Sequence, residues 1–251
     1  MKIEKIKKIN NGKYKLILED KEEIITYDDV ILSTNILYNK EITDEELLKI
    51  NSKNDYYDLY NKAIKFISKR LRSEYEVIKY LNKYNSNDIN KVVDSLKNNG
   101  FINDLNFTKA YIFDKFNLSN DGPLKIKKEL LEHNINEDII DKYLSELKYK
   151  DIKNKLEKYV NKKVKLDHKH SINLIKNKLR IDLYNLGYEN GMIEEVLNNI
   201  KCNDNFTKEY NLIYNKLSKK YEGIELNNKL KQKLYQKGYS LEEINSKIKD
   251  L

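Results

Sequence analysis

The feature that most constrains the fold is a pattern that recurs about every 50 residues. Three stretches share it: ELLEHNINEDIIDKYLSEL (Glu129–Leu147), DLYNLGYENGMIEEVLNNI (Asp182–Ile200) and QKLYQKGYSLEEINSKIKDL (Gln232–Leu251). In each, an apolar face of helical period runs into a short polar turn, and a second helix follows. The turn residues Asn134, Gly187 and Gly238 are 53 and 51 residues apart, and Ile140, Ile193 and Ile244 hold the same place after them. The pair Gly187-Tyr188 matches Gly238-Tyr239, and Lys79–Leu96 is a shorter version of the whole pattern. Asn106-Phe107-Thr108-Lys109 and Asn205-Phe206-Thr207-Lys208 open two units in the same phase. One such unit cannot bury its apolar face alone, so the recurrence predicts tandem three-helix repeats stacked on one another. The competing reading is an ordinary helical domain with chance similarity. Lengths and turn residues recur together, which favours repeats.

Composition agrees with an open architecture. The 251 residues are 39% hydrophobic and 35% charged. That is too apolar for a disordered chain and highly charged for a compact globule. The expected fold is mainly α, an elongated, curved array of repeats with a small N-terminal antiparallel β-sheet module. Helix breakers are scarce, one Pro and seven Gly, so they must be placed where they matter. The expected segments are 1–54 for the sheet module and 55–105, 106–149, 150–203 and 204–251 for four repeats.

The N-terminal segment has the other period. Ile3, Ile6 and Ile9 sit among lysines, then Tyr14, Leu16 and Leu18 alternate with Lys13, Lys15 and Ile17, and Glu23–Tyr27 is a third β-prone run. Asn11-Gly12 between two such runs signals a hairpin, because its turn needs positive φ. Three short strands are marginal alone, so a helix over Tyr27–Asn35 is expected to cover them, with Val30, Ile31 and Leu37 inward. Thr43-Asp44-Glu45-Glu46 is a capping box that starts another short helix with Leu47, Leu48 and Ile50. Helix period resumes near Asp55, with Ala63, Ile64, Ile67 and Leu71 on one face. Ser73 and Glu76 form a second capping box, followed by Val77, Ile78 and Leu81. Ile89, Val92, Val93 and Leu96 mark a third helix, closed by Gly100 in a left-handed cap.

No catalytic or cofactor motif stands out. There is no Gly-rich phosphate loop and no HExxH. The single cysteine, Cys202, allows no disulfide within the chain and no Cys-based zinc site. His168 and His170 lack a companion ligand at useful spacing and read as solvated. Glu137-Asp138 and Glu194-Glu195 sit in first turns of helices, where the helix dipole accounts for them. No cofactor and no metal are expected, and the chain reads as a non-enzyme. The N-terminus lacks the apolar core of a signal peptide, and no run approaches the ~18 apolar residues of a membrane span. The expectation is a cytoplasmic protein with no membrane partner.

The net charge is +8, and it falls mostly on the body of the chain, after a weakly acidic N-terminus. An anionic partner is the natural expectation, nucleic acid first. Three basic groups are candidates. Lys69, Arg70 and Arg72 hold two of only three arginines and suit bidentate contact with phosphate or carboxylate, or equally a helix end that favours cations. Lys125, Lys127 and Lys128 follow the Gly122-Pro123 turn. The stretch Lys150–Lys169 carries eight lysines and three acidic residues, and Lys158, Lys162, Lys163 and Lys165 form either a phosphate-facing stripe or a solvated face.

A family resemblance rests on residues 60–148. Ala63-Ile64 through Arg70-Leu71-Arg72-Ser73, then Glu76 and Leu81, resembles the opening stretch of the RecX family of recombinase regulators. Leu96 through Asp104, with Gly100-Phe101-Ile102 and then Phe107 and Tyr111, resembles its most recognisable motif. Gly122-Pro123-Leu124-Lys125-Ile126 and Glu129-Leu130 resemble its second-unit signature. The sheet module and extra C-terminal unit are similar to the longer members of low-GC Gram-positive bacteria. Departures are Lys at positions where members often carry Arg, and Asn134 where Gly is usual. The resemblance implies a regulator of homologous recombination that binds the RecA recombinase and its filament on single-stranded DNA, most often to inhibit it. A monomer is expected. The alternative is a stand-alone nucleic-acid-binding or scaffold protein built of the same repeats.

Overall fold

The computed structural model describes residues 1–9, 12–34, 36–167, 170–200 and 206–249. Asn11 of the hairpin signal, His168, Lys169, Cys202 and Asn205 lie outside them, as does Asn35. Three strands, β1 (Ile3–Lys8), β2 (Lys13–Leu18) and β3 (Glu23–Tyr27), precede the helices α1 (Asp28–Leu32), α2 (Ile36–Asn39), α3 (Asp44–Ile67), α4 (Glu74–Leu81) and α5 (Ile89–Asn98). Then come α6 (Asp104–Leu118), α7 (Pro123–Glu132), α8 (Glu137–Leu144), α9 (Tyr149–Leu166), α10 (Ile172–Asn185), α11 (Asn190–Asn198), α12 (Phe206–Leu217), α13 (Gly223–Gln236) and α14 (Leu241–Lys249). The fold is tandem three-helix repeats behind a small antiparallel sheet. Contacts divide it into two compact units, Met1–Phe107 and Thr108–Leu251.

In the first unit the strands pair antiparallel in the order β1-β2-β3. Lys8 opposes Tyr14 nearest the first turn, and Gly12 takes φ +67° there. Period-2 alternation sends Leu16 and Leu18 inward, where Val30, Ile31, Ile36, Ile42 and Ile50 cover them. Leu37, expected inside, is exposed, and its neighbour Ile36 takes the buried place. The Thr43 capping box forms, but the helix expected to end soon after Ile50 runs on to Ile67. Nothing between Asp44 and Ile67 is Gly or Pro, and a polar run of Asn and Ser costs a helix less than ~1 kcal/mol per residue. Asn54 is also held from outside, donating to the Ile25 carbonyl and accepting from Thr26 Oγ1. Asp58 accepts from the Tyr27 hydroxyl and pairs with Lys13 at 3.0 Å. One continuous helix thus packs Ile50 on the sheet and Leu59 and Ala63 on the first repeat. Leu71, beyond its end, is exposed.

Each repeat has a left-handed residue between its second and third helix. The residue there adopts positive φ: Asn85 (48°), Asn134 (58°), Gly187 (81°) and Gly238 (86°). In the last three, the following N–H bonds back to a carbonyl five residues earlier: Ile135 to Leu130, Tyr188 to Leu183 and Tyr239 to Leu234. The left-handed residue bonds three back, to Leu131, Tyr184 and Tyr235. This is a Schellman cap, and its usual apolar clasp is present, because all six residues of the first set are buried. Ile140, Ile193 and Ile244 then point into the repeat cores, each at most 1% exposed.

Within the second unit the same joint also links repeats. The Gly122 N–H donates to the Leu186 carbonyl at 2.6 Å and the Leu124 N–H to the Gly187 carbonyl at 3.0 Å. One repeat later the Ser171 N–H donates to Lys237 O at 2.9 Å, and Ser171 Oγ to Gly238 O at 2.6 Å. The N-terminus of α7 therefore meets the C-terminus of α10, and that of α10 meets the C-terminus of α13. Donors unpaired at one helix end satisfy carbonyls unpaired at another, with favourably opposed dipoles. There is no room for a side chain. A Cβ on Gly187 would lie 2.3 Å from Lys125 N, and one on Gly122 2.5 Å from Gly187 O.

Gly187→Ala is expected to lower stability by about 2 kcal/mol or more, since it combines a left-handed backbone with a clash against backbone. Gly191, in α11, has open space around its missing Cβ. Gly191→Ala should shift stability by under ~1 kcal/mol, in the stabilising direction. Urea unfolding of the two variants beside the parent chain checks both.

Candidate nucleic-acid interface

The lysine-rich helix α9 is amphipathic. Leu156 and Val160 are buried in the core of the third repeat, beside Ile175, Leu179 and Leu183. Its opposite edge faces a cleft of about 800 Å³, closed on the far side by the end of α6 and the turn after it. Lys155, Lys158, Tyr159, Lys162 and Lys163 line it from α9, and Phe116, Asn117, Ser119 and Asn120 from the α6 side. Positions 155, 158 and 162 recur at helical spacing, which sets three ammonium groups along ~10 Å of one edge. Lys158, Lys162 and Lys163 are exposed and make no ion pair among the described residues. Lys165 is exposed as well, but does not line the cleft.

Two aromatic rings give the cleft an apolar component. The Lys155 ammonium lies 4.6 Å from the centre of the Phe116 ring and donates to the Asp121 carbonyl at 2.8 Å. Burial pushes its pKa down, against the pull of Asp121. Tyr159 donates to Asp182 at 2.6 Å. Burial first, and that hydrogen bond second, push its phenol up to about 12. The ring is neutral at any ordinary pH and adds no charge that would repel an anion.

The α6–α7 turn that forms the far wall is braced by a buried carboxylate. Asp121 is 6% exposed and accepts from Lys125 Nζ at 2.7 Å and from Ser119 Oγ at 2.9 Å, with Lys115 at 3.6 Å. Burial works to raise its pKa, but the hydrogen bonds of Lys125 and Ser119 and the charges of Lys125 and Lys115 bring it below the usual carboxylate value. Tyr188 donates to the Asn120 carbonyl at 3.2 Å, tying the turn to the third repeat.

The other basic groups are used within the chain to differing degrees. Arg70 and Arg72 both bond Glu76, at 2.5 and 3.3 Å, which is also the reciprocal partner of Ser73 in the capping box. The Arg72 guanidinium lies 4.0 Å from the centre of the Phe66 ring, whose own neighbour is Tyr80, stacked at 4.2 Å. Its side chain is only 13% exposed. Lys69 is exposed and carries no ion pair among the described residues. Lys125 is held by Asp121, and Lys127 by Glu137 at 2.8 Å and Asp141 at 2.6 Å, while Lys128 is exposed and has no ion pair among the described residues. The structure thus brings Lys158, Lys162 and Lys163 together around one cavity and gives Arg70, Arg72, Lys125 and Lys127 carboxylate partners within the chain. Sequence reasoning missed Lys155, although its spacing from Lys158 and Lys162 was available, and missed Phe116 and Asn120, which come from another helix.

No group of three or more His, Cys, Asp or Glu among the described residues is placed to hold a metal ion, and no described helix is long and apolar enough to cross a membrane.

Comparison with known proteins bears on the whole chain. Residues 103–144 match the family model described as RecX, second three-helix domain. The chain is 30% identical to "Regulatory protein RecX" of Streptococcus agalactiae serotype III (strain NEM316), an alignment that spans 100% of this chain and 99% of that protein. It is 29% identical to "Regulatory protein RecX" of Lactococcus lactis subsp. cremoris (strain SK11), over 99% of this chain and 97% of the relative. Among solved structures, a crystal structure of regulatory protein RecX superposes with a TM-score of 0.67 at 18% identity, covering 79% of this chain and 99% of that one; this is a likeness of fold. RecX from Lactobacillus salivarius gives 0.54 at 25% identity, covering 58% and 96%.

Two outcomes follow for stability. Arg72→Ala removes a charge-assisted hydrogen bond and a cation–π contact, so it should cost about 1–2 kcal/mol in urea unfolding, whereas Lys69→Ala should leave the midpoint unchanged. A carboxylate whose folded pKa is depressed stabilises above its unfolded pKa, and that contribution is lost as pH falls through the folded value. The parent chain should therefore lose stability on acidification more steeply than Asp121→Asn, which a pH series of unfolding midpoints measures.

Proposed function

The chain belongs to the RecX family, and on that premise we propose that it is a non-enzymatic regulator in the RecA system, binding the recombinase and its filament on single-stranded DNA. The observation that carries the reading is the end-to-end alignment with relatives named Regulatory protein RecX. The internal architecture supports it. Second, third and fourth repeats are joined by one repeated backbone contact, so a similar surface recurs at a regular step. A partner that is itself a repeating polymer suits such a surface.

In this proposal the protein acts as a monomer in the cytoplasm, where the recombinase works, and its effect on the recombinase is inhibitory. Contact with filament or DNA is assigned to the exposed basic residues Lys69, Arg70, Lys128, Lys158, Lys162, Lys163 and Lys165. Arg72, Lys125 and Lys127 take part through the exposed remainder of their ion-paired heads. A stand-alone nucleic-acid binder is the second reading, favoured by the lysine-lined cleft of α6 and α9. It predicts tight, strongly salt-dependent DNA binding with no recombinase present.

A pull-down with RecA assembled on single-stranded DNA, run beside an ATP-hydrolysis assay, tests the first reading. The chain should co-sediment with the filament and reduce its ATP turnover. No co-sedimentation and unchanged turnover would falsify it.

A further inference from the structure

We propose that the cleft between α6 and α9 is a binding site for a short stretch of single-stranded DNA. Lys155, Lys158, Lys162 and Lys163 would track the phosphodiester backbone, and Phe116 and Tyr159 would receive its sugar and base faces. The choice of DNA over another single strand rests on the recombinase reading; the cleft's chemistry demands only a phosphodiester chain.

Charge is the first part of the argument. Three exposed ammonium groups on one edge of α9 have no carboxylate within ion-pair distance among the described residues, and a fourth, Lys155, is sunk into the cleft wall. Like charges held together on a rigid helix repel, and a polyanion relieves that repulsion while releasing its own counterions. Among the described residues, Asp151 is the one acidic side chain that lines the cleft, four residues before Lys155. It repels phosphate at the α9 N-terminal end and directs the strand toward the lysines.

Shape is the second. A concave space of about 800 Å³ lies within the ~300–1,000 Å³ that holds a drug-sized ligand. It is far too small to admit a duplex and suits a few unpaired nucleotides. Its mixed lining, lysines beside aromatic rings, is the combination that single-strand sites use, since every base offers a face for stacking. The exposed side-chain amides of Asn120 and Asn154 supply donors and acceptors at the rim.

Rigidity is the third. The α6 wall is fixed by Asp121, Lys125 and Ser119, and by the Tyr188 hydroxyl reaching from the third repeat. The α9 wall is fixed by its buried Leu156 and Val160. The site is preformed, so a ligand does not have to order it.

The test uses the full chain, a fluorescein-labelled oligothymidylate, and anisotropy measured over a range of salt. The parent chain should show a log–log salt slope of about −2 to −3, since each phosphate contact on a single strand contributes about −0.7. Lys158→Ala/Lys162→Ala should bring the slope closer to zero by about 1.4 and weaken binding at every salt concentration. Lys216→Ala/Lys233→Ala removes the same charge from exposed helix positions outside the cleft and should leave the slope unchanged. No change in the cleft variant overturns the proposal, as does an equal loss in the control variant, or binding of an oligouridylate alone. A recombinase pull-down on the same preparations keeps the two claims apart. If it fails for the parent chain while strand binding still depends on Lys158 and Lys162, the site stands and the recombinase reading falls.

Discussion

The joint at Gly187 and Gly238 is the contact on which the second unit depends. It caps a helix within its own repeat and, with the same few atoms, receives the first N–H groups of the preceding repeat's middle helix. Helix ends carry unpaired donors and acceptors that cost free energy if buried. Here the two sets of orphans satisfy each other, so repeats can stack closely without burying unpaired backbone. The arrangement tolerates only glycine at the joint. The φ values are 81° and 86°, and the nearest atoms to an added Cβ lie at 2.3 and 2.5 Å. Ser171 shows how the preceding repeat adapts. Its hydroxyl accepts from the Leu174 N–H as an N-cap and donates to the Gly238 carbonyl, using both roles of one oxygen.

The joint also determines where the cleft lies. Docking Gly122 and Leu124 on Leu186 and Gly187 places the α6–α7 turn against the third repeat, and α9 then faces the end of α6. Asp121 completes the brace through three lysines, two at its carboxylate and Lys155 at its carbonyl. The basic surface of the candidate site is thus a by-product of how repeats are joined. A change at Gly187 would act on it without touching a single lysine of its lining.

Much of this was legible from local signals. The turns at Asn134, Gly187 and Gly238 fall where the recurring pattern places them, and both capping boxes, at Thr43 and Ser73, form as their spacing implies. The alternation of Leu16 and Leu18 predicted the buried face of the sheet. The misplacements are equally instructive. A polar run of Asn and Ser after Ile50 reads as a break, yet contacts from β3 to Asn54 and Asp58 hold the helix through it. Leu37 and Leu71 are apolar and exposed because each lies beside a residue or helix end whose geometry took the core position instead.

Sequence by itself determined the elements of this protein: three strands, the capped helices, the period near 50 residues and the left-handed turns between second and third helices. Those depend on neighbours within a few positions, on side-chain period and on which residues accept positive φ. Tertiary structure alone decided which helix end meets which, and therefore which basic residues stand free. Arg72 and Lys127 are bound by carboxylates, Lys125 is bound by one buried in the α6–α7 turn, and Lys155 is drawn into a wall that residues from another helix complete. Pairing between charges, and the shape of a cavity, follow from through-space distances that no local pattern encodes.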